Sequence, residues 1–65
     1  MEITVNGIQK VIQSSHIAQL VTELELQTNG IALALNNNII PFKEWPNTEL
    51  TEKDKITIIK ATQGG

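Results

Sequence analysis

Residues 1–12 read MEITVNGIQKVI, a pattern typical of a β-hairpin. Apolar and polar residues alternate over residues 1–5, as they do in a strand with one buried face. The Asn6-Gly7 pair then favours a type I′ turn, because both central positions of that turn need a positive φ. We therefore predict a second, antiparallel strand over residues 8–12. Two adjacent apolar residues at its end break the alternation, which indicates a bulge or an early end.

The apolar period changes after the hairpin. Four residues are spaced so that they share one face of a helix: Ile17, Leu20, Val21 and Leu24. The sequence predicts this helix over residues 16–26. Its N-cap stays open between a preceding serine and His16, which with Gln19 could form a variant of the capping box. Gly30 is suited to the left-handed turn that closes many helices.

The pattern returns to short strands downstream of the helix. We predict strands at residues 31–35 and 39–40, joined by an asparagine turn at residues 36–38. Pro41 ends the second strand, because proline cannot donate to a sheet ladder. Three further segments are predicted: an irregular stretch with one 3₁₀ turn at 42–48, a brief contact with the sheet at 49–50, and a final strand at 55–61.

This order, β-β-α-β-β-β, predicts an α+β domain of the β-grasp type over residues 1–61. A mixed sheet of four to five strands would carry the helix across one face, with the first and last strands as parallel neighbours at its centre. Residues 62–65 would form a tail outside the domain. The predicted core is aliphatic and consists of Ile3, Val5, Leu20, Val21, Leu24, Leu33, Leu35, Leu50, Ile56 and Ile58.

Composition excludes several classes of function. The net charge is −2 and the chain has no arginine, which argues against nucleic acid or an anionic membrane as a partner. Without cysteine, it can form neither a disulfide nor a Cys-ligated metal site, and we expect no metal. No apolar run approaches membrane-spanning length, and Met1 leads directly into the first strand rather than a signal peptide. A cytoplasmic location is the simplest expectation.

The sequence ends in Thr62-Gln63-Gly64-Gly65. Glycine has no Cβ, so a diglycine end can pass through a channel too narrow for side chains. Fully extended, these four residues would reach roughly 13 Å beyond the last strand. That is long enough to place a C-terminal carboxyl inside another protein's active site.

Several of these features together resemble the ThiS family of sulfur carriers in thiamin biosynthesis, whose fold is ubiquitin-like. The resemblance covers the whole chain. Its residues are Ala34-Leu35-Asn36, Ile39-Ile40-Pro41, Glu44-Trp45, Asp54 before Ile56 and Ile58, and the final Gly64-Gly65. Three residues depart from the family pattern and bear on partner specificity: Phe42, Lys53 and Gln63.

The resemblance implies that the protein is not an enzyme but a co-substrate of partner enzymes. A ThiF-like adenylating enzyme would use ATP to activate the carboxylate of Gly65, and sulfur transfer would leave a thiocarboxylate there. A ThiG-like thiazole synthase would receive the sulfur. Gly64 and Gln63 would thread the tail into these partners, and the carrier itself would bind no cofactor.

Three alternatives stay open on the sequence alone. The small subunit of molybdopterin synthase has the same tail chemistry and a different sulfur acceptor. A ubiquitin-like modifier would join Gly65 to a lysine of another protein. A β-grasp interaction domain would carry an inert tail.

A partner surface is expected on the sheet face opposite the helix. The apolar residues of the third and last strands cannot all face the helix, so some must lie on the open face, where apolar patches often mark interfaces. A slightly apolar sheet face or a self-association surface would fit the same pattern. The residues assigned to this surface are Ile59, Ala61, Ala32, Ala34 and Phe42.

Two other groups of polar residues invite a catalytic or metal interpretation. His16 follows two serines, but sequence neighbours seldom have the geometry of a nucleophile and its base, and a role at the helix start is favoured. Glu49, Glu52 and Asp54 are interpreted as a solvated turn rather than a metal site.

Overall fold

The computed structural model describes residues 1–27 and 29–60, and these residues form one mixed sheet with a helix on one face. The strands are β1 (Glu2–Val5), β2 (Ile8–Val11), β3 (Ile31–Leu35), β4 (Asn38–Ile39) and β5 (Lys55–Lys60). The helix α1 spans Ile17–Glu23, and a 3₁₀ helix spans Phe42–Asn47. The final strand was predicted to reach Ala61, which lies outside the described residues.

The order of strands across the sheet is β2-β1-β5-β3-β4. β1 and β5 are parallel neighbours, with Thr4 opposite Lys55 and Val5 opposite Ile56, while the other pairs are antiparallel. A parallel pair needs a long crossover, and here α1 and the strands that follow it supply one. The fold is therefore the predicted ubiquitin-like β-grasp, with the first and last strands together inside the sheet.

Two type I′ turns set the register of the two hairpins. Asn6 and Gly7 have φ values of 50° and 81°, and Asn36 and Asn37 have 50° and 75°. Asparagine and glycine tolerate this left-handed region, which other residues avoid. β2 ends one residue early, as one of the two predicted outcomes, and Ile12 then turns into the core.

The helix begins as one of the two alternatives predicted, with His16 as its N-cap. The Nδ1 atom of His16 accepts the backbone N–H of Gln19 at 3.3 Å. The side chain of Gln19 reaches back to accept the backbone N–H of Ser15 at 2.9 Å. This is a capping box shifted by one residue, because the returning bond reaches Ser15 rather than the cap itself.

The end of the helix differs from the prediction. α1 stops at Glu23 instead of residue 26, because Glu25 adopts a φ of +55°. The backbone N–H of Glu25 then donates to Thr22 at 3.1 Å and that of Leu26 to Val21 at 3.0 Å, the two bonds of a Schellman motif. Gly30 also has a positive φ, of 76°, but it lies in the turn before β3 and not at the helix end.

The core lies between α1, the 3₁₀ helix and one face of the sheet. Seven of the ten predicted core residues are buried, whereas Leu24, Leu35 and Ile58 are half-buried at its margin. The prediction missed Ile12, Ile17 and Trp45, which are also buried. The Nε1–H of Trp45 donates to the carbonyl of Ile40 at 2.9 Å, so this large side chain enters the core with its polar atom bonded.

Two short segments were placed wrongly by the sequence. β4 is Asn38–Ile39 rather than residues 39–40, because the two-residue turn at 36–37 lets pairing resume at once. The backbone of residues 49–50 pairs with the residues at the start of the helix rather than with a strand of the sheet. Glu49 forms an isolated bridge with His16, and the N–H of Leu50 donates to Ser15 at 2.9 Å.

Candidate functional site

Four predicted site residues lie outside the described residues: Gly65, which would carry the sulfur, Gly64 and Gln63, which would thread the tail, and Ala61 of the predicted surface. The structure describes the strand that leads to them. β5 runs inside the sheet, and its last residue, Lys60, lies opposite Ile31 of β3. The C-terminal segment therefore continues from a strand held by its neighbours.

The length of that segment limits where its end can reach. Five residues, 61–65, follow Lys60, and a fully extended chain of five residues spans about 16 Å. Any protein that acts on the carboxylate of Gly65 must therefore bring its reactive group within about that distance of Lys60.

The open face of the sheet is apolar on the β3–β4–β5 side. Ala32 lies opposite Ile59, and Ala34 lies opposite both Thr57 and Ile39. Ile59 and Ile39 are 50% and 60% exposed, which is high for isoleucine. The two isoleucines lie on the strands that flank β3, with the alanines of β3 between them, and exposed apolar side chains on one face are often found at interfaces.

One member of the predicted partner surface is corrected by the structure. Ala34 is only 5% exposed, so it offers little area to a partner. Its methyl group is short and lies between Thr57 and Ile39 on the neighbouring strands, whose longer side chains shield it. Ile39 is exposed in its place, and the sequence analysis did not assign it to the surface. The signal for it was its place two residues after an asparagine turn, directly across from an alanine of the preceding strand.

Phe42 is the most exposed aromatic residue, at 67%. Its ring packs edge-on against Trp45, with centroids 4.9 Å apart. Because Trp45 is buried and bonded to Ile40, it holds Phe42 at the surface on a rigid base. Phe42 lies on the 3₁₀ helix, which packs with α1, and not on a strand of the open face to which the sequence assigned it. An exposed aromatic side chain of this kind is a suitable anchor for a partner protein.

The β1 side of the open face carries an ion pair. Lys53 and Glu2 form an ion pair at 2.6 Å, and the hydrogen bond and charge of Lys53 lower the pKa of Glu2. The backbone N–H of Glu2 also donates to the carboxylate of Glu52 at 2.8 Å. The open face therefore has an apolar half next to β4 and, next to β1, a half in which this ion pair lies beside Val11, which is opposite Glu2 and 74% exposed.

Asp54 is not part of a solvated turn, as the sequence suggested, but is 7% exposed. Its carboxylate accepts the backbone N–H of Thr51 at 2.7 Å, the hydroxyl of Thr51 at 3.0 Å and the side-chain amide of Asn36 at 3.0 Å. Burial raises the pKa of Asp54, but these bonds to the ionised form outweigh it, and the pKa lies below its ordinary value. Among residues 1–27 and 29–60, no three His, Asp or Glu side chains are grouped as a metal site would require.

His16 and Ser14 do not form a nucleophile–base pair. His16 uses Nδ1 to cap the helix, and the hydroxyl of Ser14 donates to the carboxylate of Glu23. The same carboxylate accepts the backbone N–H groups of Gln13 and Ser14. Both side chains hold the entry to α1, as the sequence indicated.

Comparison with known proteins identifies the family of this chain. The ThiS family model matches residues 2–65, almost the full chain. The chain belongs to the ThiS family. Membership makes it a small sulfur carrier of thiamin biosynthesis and implies partner enzymes in that pathway. No curated protein sequence is significantly similar to it.

Two solved structures are similar in fold. One is the crystal structure of the thiamine biosynthesis protein ThiS from Geobacter metallireducens, with a TM-score of 0.88, 20% identity and full coverage of both chains. The other is an NMR solution structure of a thiamine biosynthesis protein from the same organism, with a TM-score of 0.77 and 19% identity. It is matched over 100% of this chain and 88% of the other. In the part of this chain that the structure describes, no helix is long and apolar enough to cross a membrane.

Proposed function

We propose that the carboxylate of Gly65 is the group on which this ThiS-family chain carries sulfur. The observation that carries the proposal is the position of the diglycine end, five residues beyond the interior strand of a β-grasp sheet. A domain fixes the start of the segment, and the segment is just long enough to enter a partner's active site.

The chemistry requires activation by another protein. A C-terminal carboxylate has a pKa near 3.5, so at neutral pH it is ionised and a poor electrophile. In the proposed first step, its oxygen attacks the α-phosphorus of ATP in a ThiF-like adenylating enzyme, and pyrophosphate leaves. A sulfide or persulfide sulfur then attacks the acyl carbon, and AMP leaves with the electron pair of the broken C–O bond. When the donor is a persulfide, reductive cleavage of the S–S bond by a thiol releases the thiocarboxylate.

The composition of the chain suits this chemistry. It has no cysteine, so no internal thiol competes for the activated acyl group. The thiocarboxylate would then donate its sulfur to a ThiG-like thiazole synthase. The carrier binds no cofactor in this scheme, since ATP is consumed at the adenylating enzyme.

The apolar half of the open face is the proposed docking surface for these partners. Ile59 and Ile39 are exposed on the two strands that flank β3, and Ala32 of β3 lies opposite Ile59. Phe42, on the 3₁₀ helix, adds an exposed aromatic side chain outside this face. β5 contributes Ile59 and also leads to the tail. A partner seated on this face is therefore close to the segment that it must receive.

Intact-mass measurement tests the proposal. The chain is incubated with ATP, a sulfide source and the ThiF-like enzyme of the same organism, and its mass is compared with that of a variant lacking Gly65. A gain that matches one oxygen-to-sulfur exchange, localised to Gly65 and absent from the variant, is expected. Conjugates to lysines of other proteins without sulfur transfer would instead indicate a modifier, and an unchanged mass would indicate an interaction domain with an inert tail.

A further inference from the structure

A concave surface lies at the end of the domain from which the tail continues, on the side of the sheet that carries α1. Three half-buried apolar side chains form its floor, and polar side chains stand at its edge. We call it the tail-end hollow; it is lined by Glu25, Leu26, Gln27, Ile31, Ile58 and Lys60.

The hollow is adjacent to the origin of the tail. Lys60, the last residue of β5, lines it and lies opposite Ile31 of β3. The five residues that follow Lys60 reach about 16 Å at most. A protein that holds Gly65 in its active site must therefore come within about 16 Å of Lys60, and the hollow that Lys60 lines lies within that range.

Glu25 occupies a backbone position that favours glycine. Its φ of +55° closes the helix, at the C′ position where glycine is the usual residue. Five residues other than glycine have a positive φ in the described chain, and three of them are asparagines. The other two are Glu25 and Lys53.

The two charged residues differ in what their side chains contact. Lys53 pairs with Glu2 at 2.6 Å. Glu25 forms no ion pair with any residue that the structure describes. The carboxylate of Glu25 at the edge of an apolar hollow is therefore available to a contact outside the chain.

We propose that the tail-end hollow is a second contact surface for the adenylating enzyme, which places a basic side chain against Glu25 and its apolar stem over Leu26 and Ile31. Arginine and lysine suit this surface, because their stems pack on apolar atoms while their charged ends reach a carboxylate. The inference rests on the proposed function, because the adenylating enzyme is the partner that must enclose Gly65. The partner then holds the domain on both faces of the sheet at the point where the tail begins.

Two substitutions at one position separate the charge from the backbone. Glu25→Gly removes the carboxylate and relieves the positive φ, so the melting temperature should equal or exceed that of the wild type. Glu25→Gln removes only the charge. Glu49→Gln is the matched control, because it removes the same charge from an exposed residue beside the start of α1, at the opposite end of the helix from Glu25.

The measurement is the Kd for the ThiF-like adenylating enzyme of the same organism, by calorimetry at low and high salt. Both Glu25 variants should bind roughly 3- to 5-fold more weakly at low salt, the effect of one lost charge pair. The difference should shrink at high salt, which screens the pair. Glu49→Gln should bind within about 2-fold of the wild type, since surface charges away from an interface contribute little.

Wild-type affinity in both Glu25 variants would overturn the inference. It would leave the proposed function intact, provided that the wild-type chain still acquires sulfur at Gly65. Failure of the wild-type chain to bind or to be adenylated would overturn both. An equal weakening by Glu49→Gln would also overturn it, because the effect would then come from general charge and not from the hollow.

Discussion

The side-chain amide of Asn36 donates to the buried carboxylate of Asp54 at 3.0 Å, joining the β3–β4 turn to the start of β5. The side-chain oxygen of Asn36 also accepts the backbone N–H of Lys55 at 3.0 Å. The backbone N–H of Asn36 donates to the carbonyl of Lys55 at 2.8 Å. Asn36 therefore occupies a left-handed turn position and also satisfies the backbone polar groups of Lys55, at the start of β5. Together the two residues fix where β5 begins, and so where it delivers the tail.

Replacing Asp54 by alanine should destabilise the domain by about 1–3 kcal/mol, because Thr51 and Asn36 would lose their buried acceptor. Urea unfolding followed by circular dichroism measures the change. Glu49→Ala is the control, since Glu49 is exposed and surface substitutions usually change stability by less than about 0.5 kcal/mol. Equal effects of the two substitutions would contradict the structural role of Asp54.

The stability of the domain should fall at acid pH through the same carboxylate. The pKa of Asp54 is lower in the folded chain than its ordinary value of 3.8. A carboxyl with a depressed folded pKa contributes stability that is fully present above its unfolded pKa and is lost as the pH falls through the folded pKa. Unfolding should therefore require less urea below about pH 4 than at pH 7.

Asp54→Asn tests the source of this pH dependence. The asparagine side chain does not take up a proton in this pH range, so the acid-induced loss of stability should be smaller in the variant than in the wild type. Glu2 and Glu23 keep part of the dependence, because hydrogen bonds from Lys53 and from Ser14, respectively, lower their pKa values as well. Identical pH profiles for variant and wild type would show that Asp54 is not involved.

The sequence predicted local structure better than burial. The Asn6-Gly7 turn and the helical face of Leu20 and Val21 follow from neighbouring residues, whose spacing and φ preferences suffice. Trp45 could not be assigned to the core, because its burial depends on the fold of the 3₁₀ helix against α1. The early end of the helix, at Glu23, was missed for a related reason. The left-handed φ of Glu25 is held by the surrounding structure against the preference of glutamate.

The candidate site was predicted in the same uneven way. Strand alternation placed Ile59 on the open face, where it is exposed, but it did not predict the burial of Ala34. Alternation gives the face on which a side chain lies, but its exposure depends on the size of the side chains on the two neighbouring strands. Those neighbours, Thr57 and Ile39, are known only once the register is known.

Charge on the open face should weaken partner binding without unfolding the domain. Ile59 is half exposed, so Ile59→Asp should leave the free energy of unfolding nearly unchanged and weaken binding to the adenylating enzyme about 10-fold or more, as at a central apolar contact. Ile56→Asp on the same strand is the contrast, because Ile56 is fully buried and an unpaired charge there should unfold the domain. A large loss of stability in Ile59→Asp would mean that this residue supports the fold rather than the interface.

Sulfur loading should depend on the slimness and the length of the diglycine end. Gly64→Val should block transfer, because a β-branched side chain restricts φ and ψ and fills a channel that admits only backbone. One residue added after Gly65 should block it as well, since the reacting carboxyl moves by about 3.3 Å and loses its alignment with ATP. Intact mass after incubation with ATP, sulfide and the adenylating enzyme measures loading, and thermal melting shows whether the domain stays folded. An alanine added before Met1 lengthens the chain at its other end and is the matched control, so it should load like the wild type. Full loading of the Gly64→Val chain would mean that the partner does not enclose the tail, and the narrow-channel argument would fail with it.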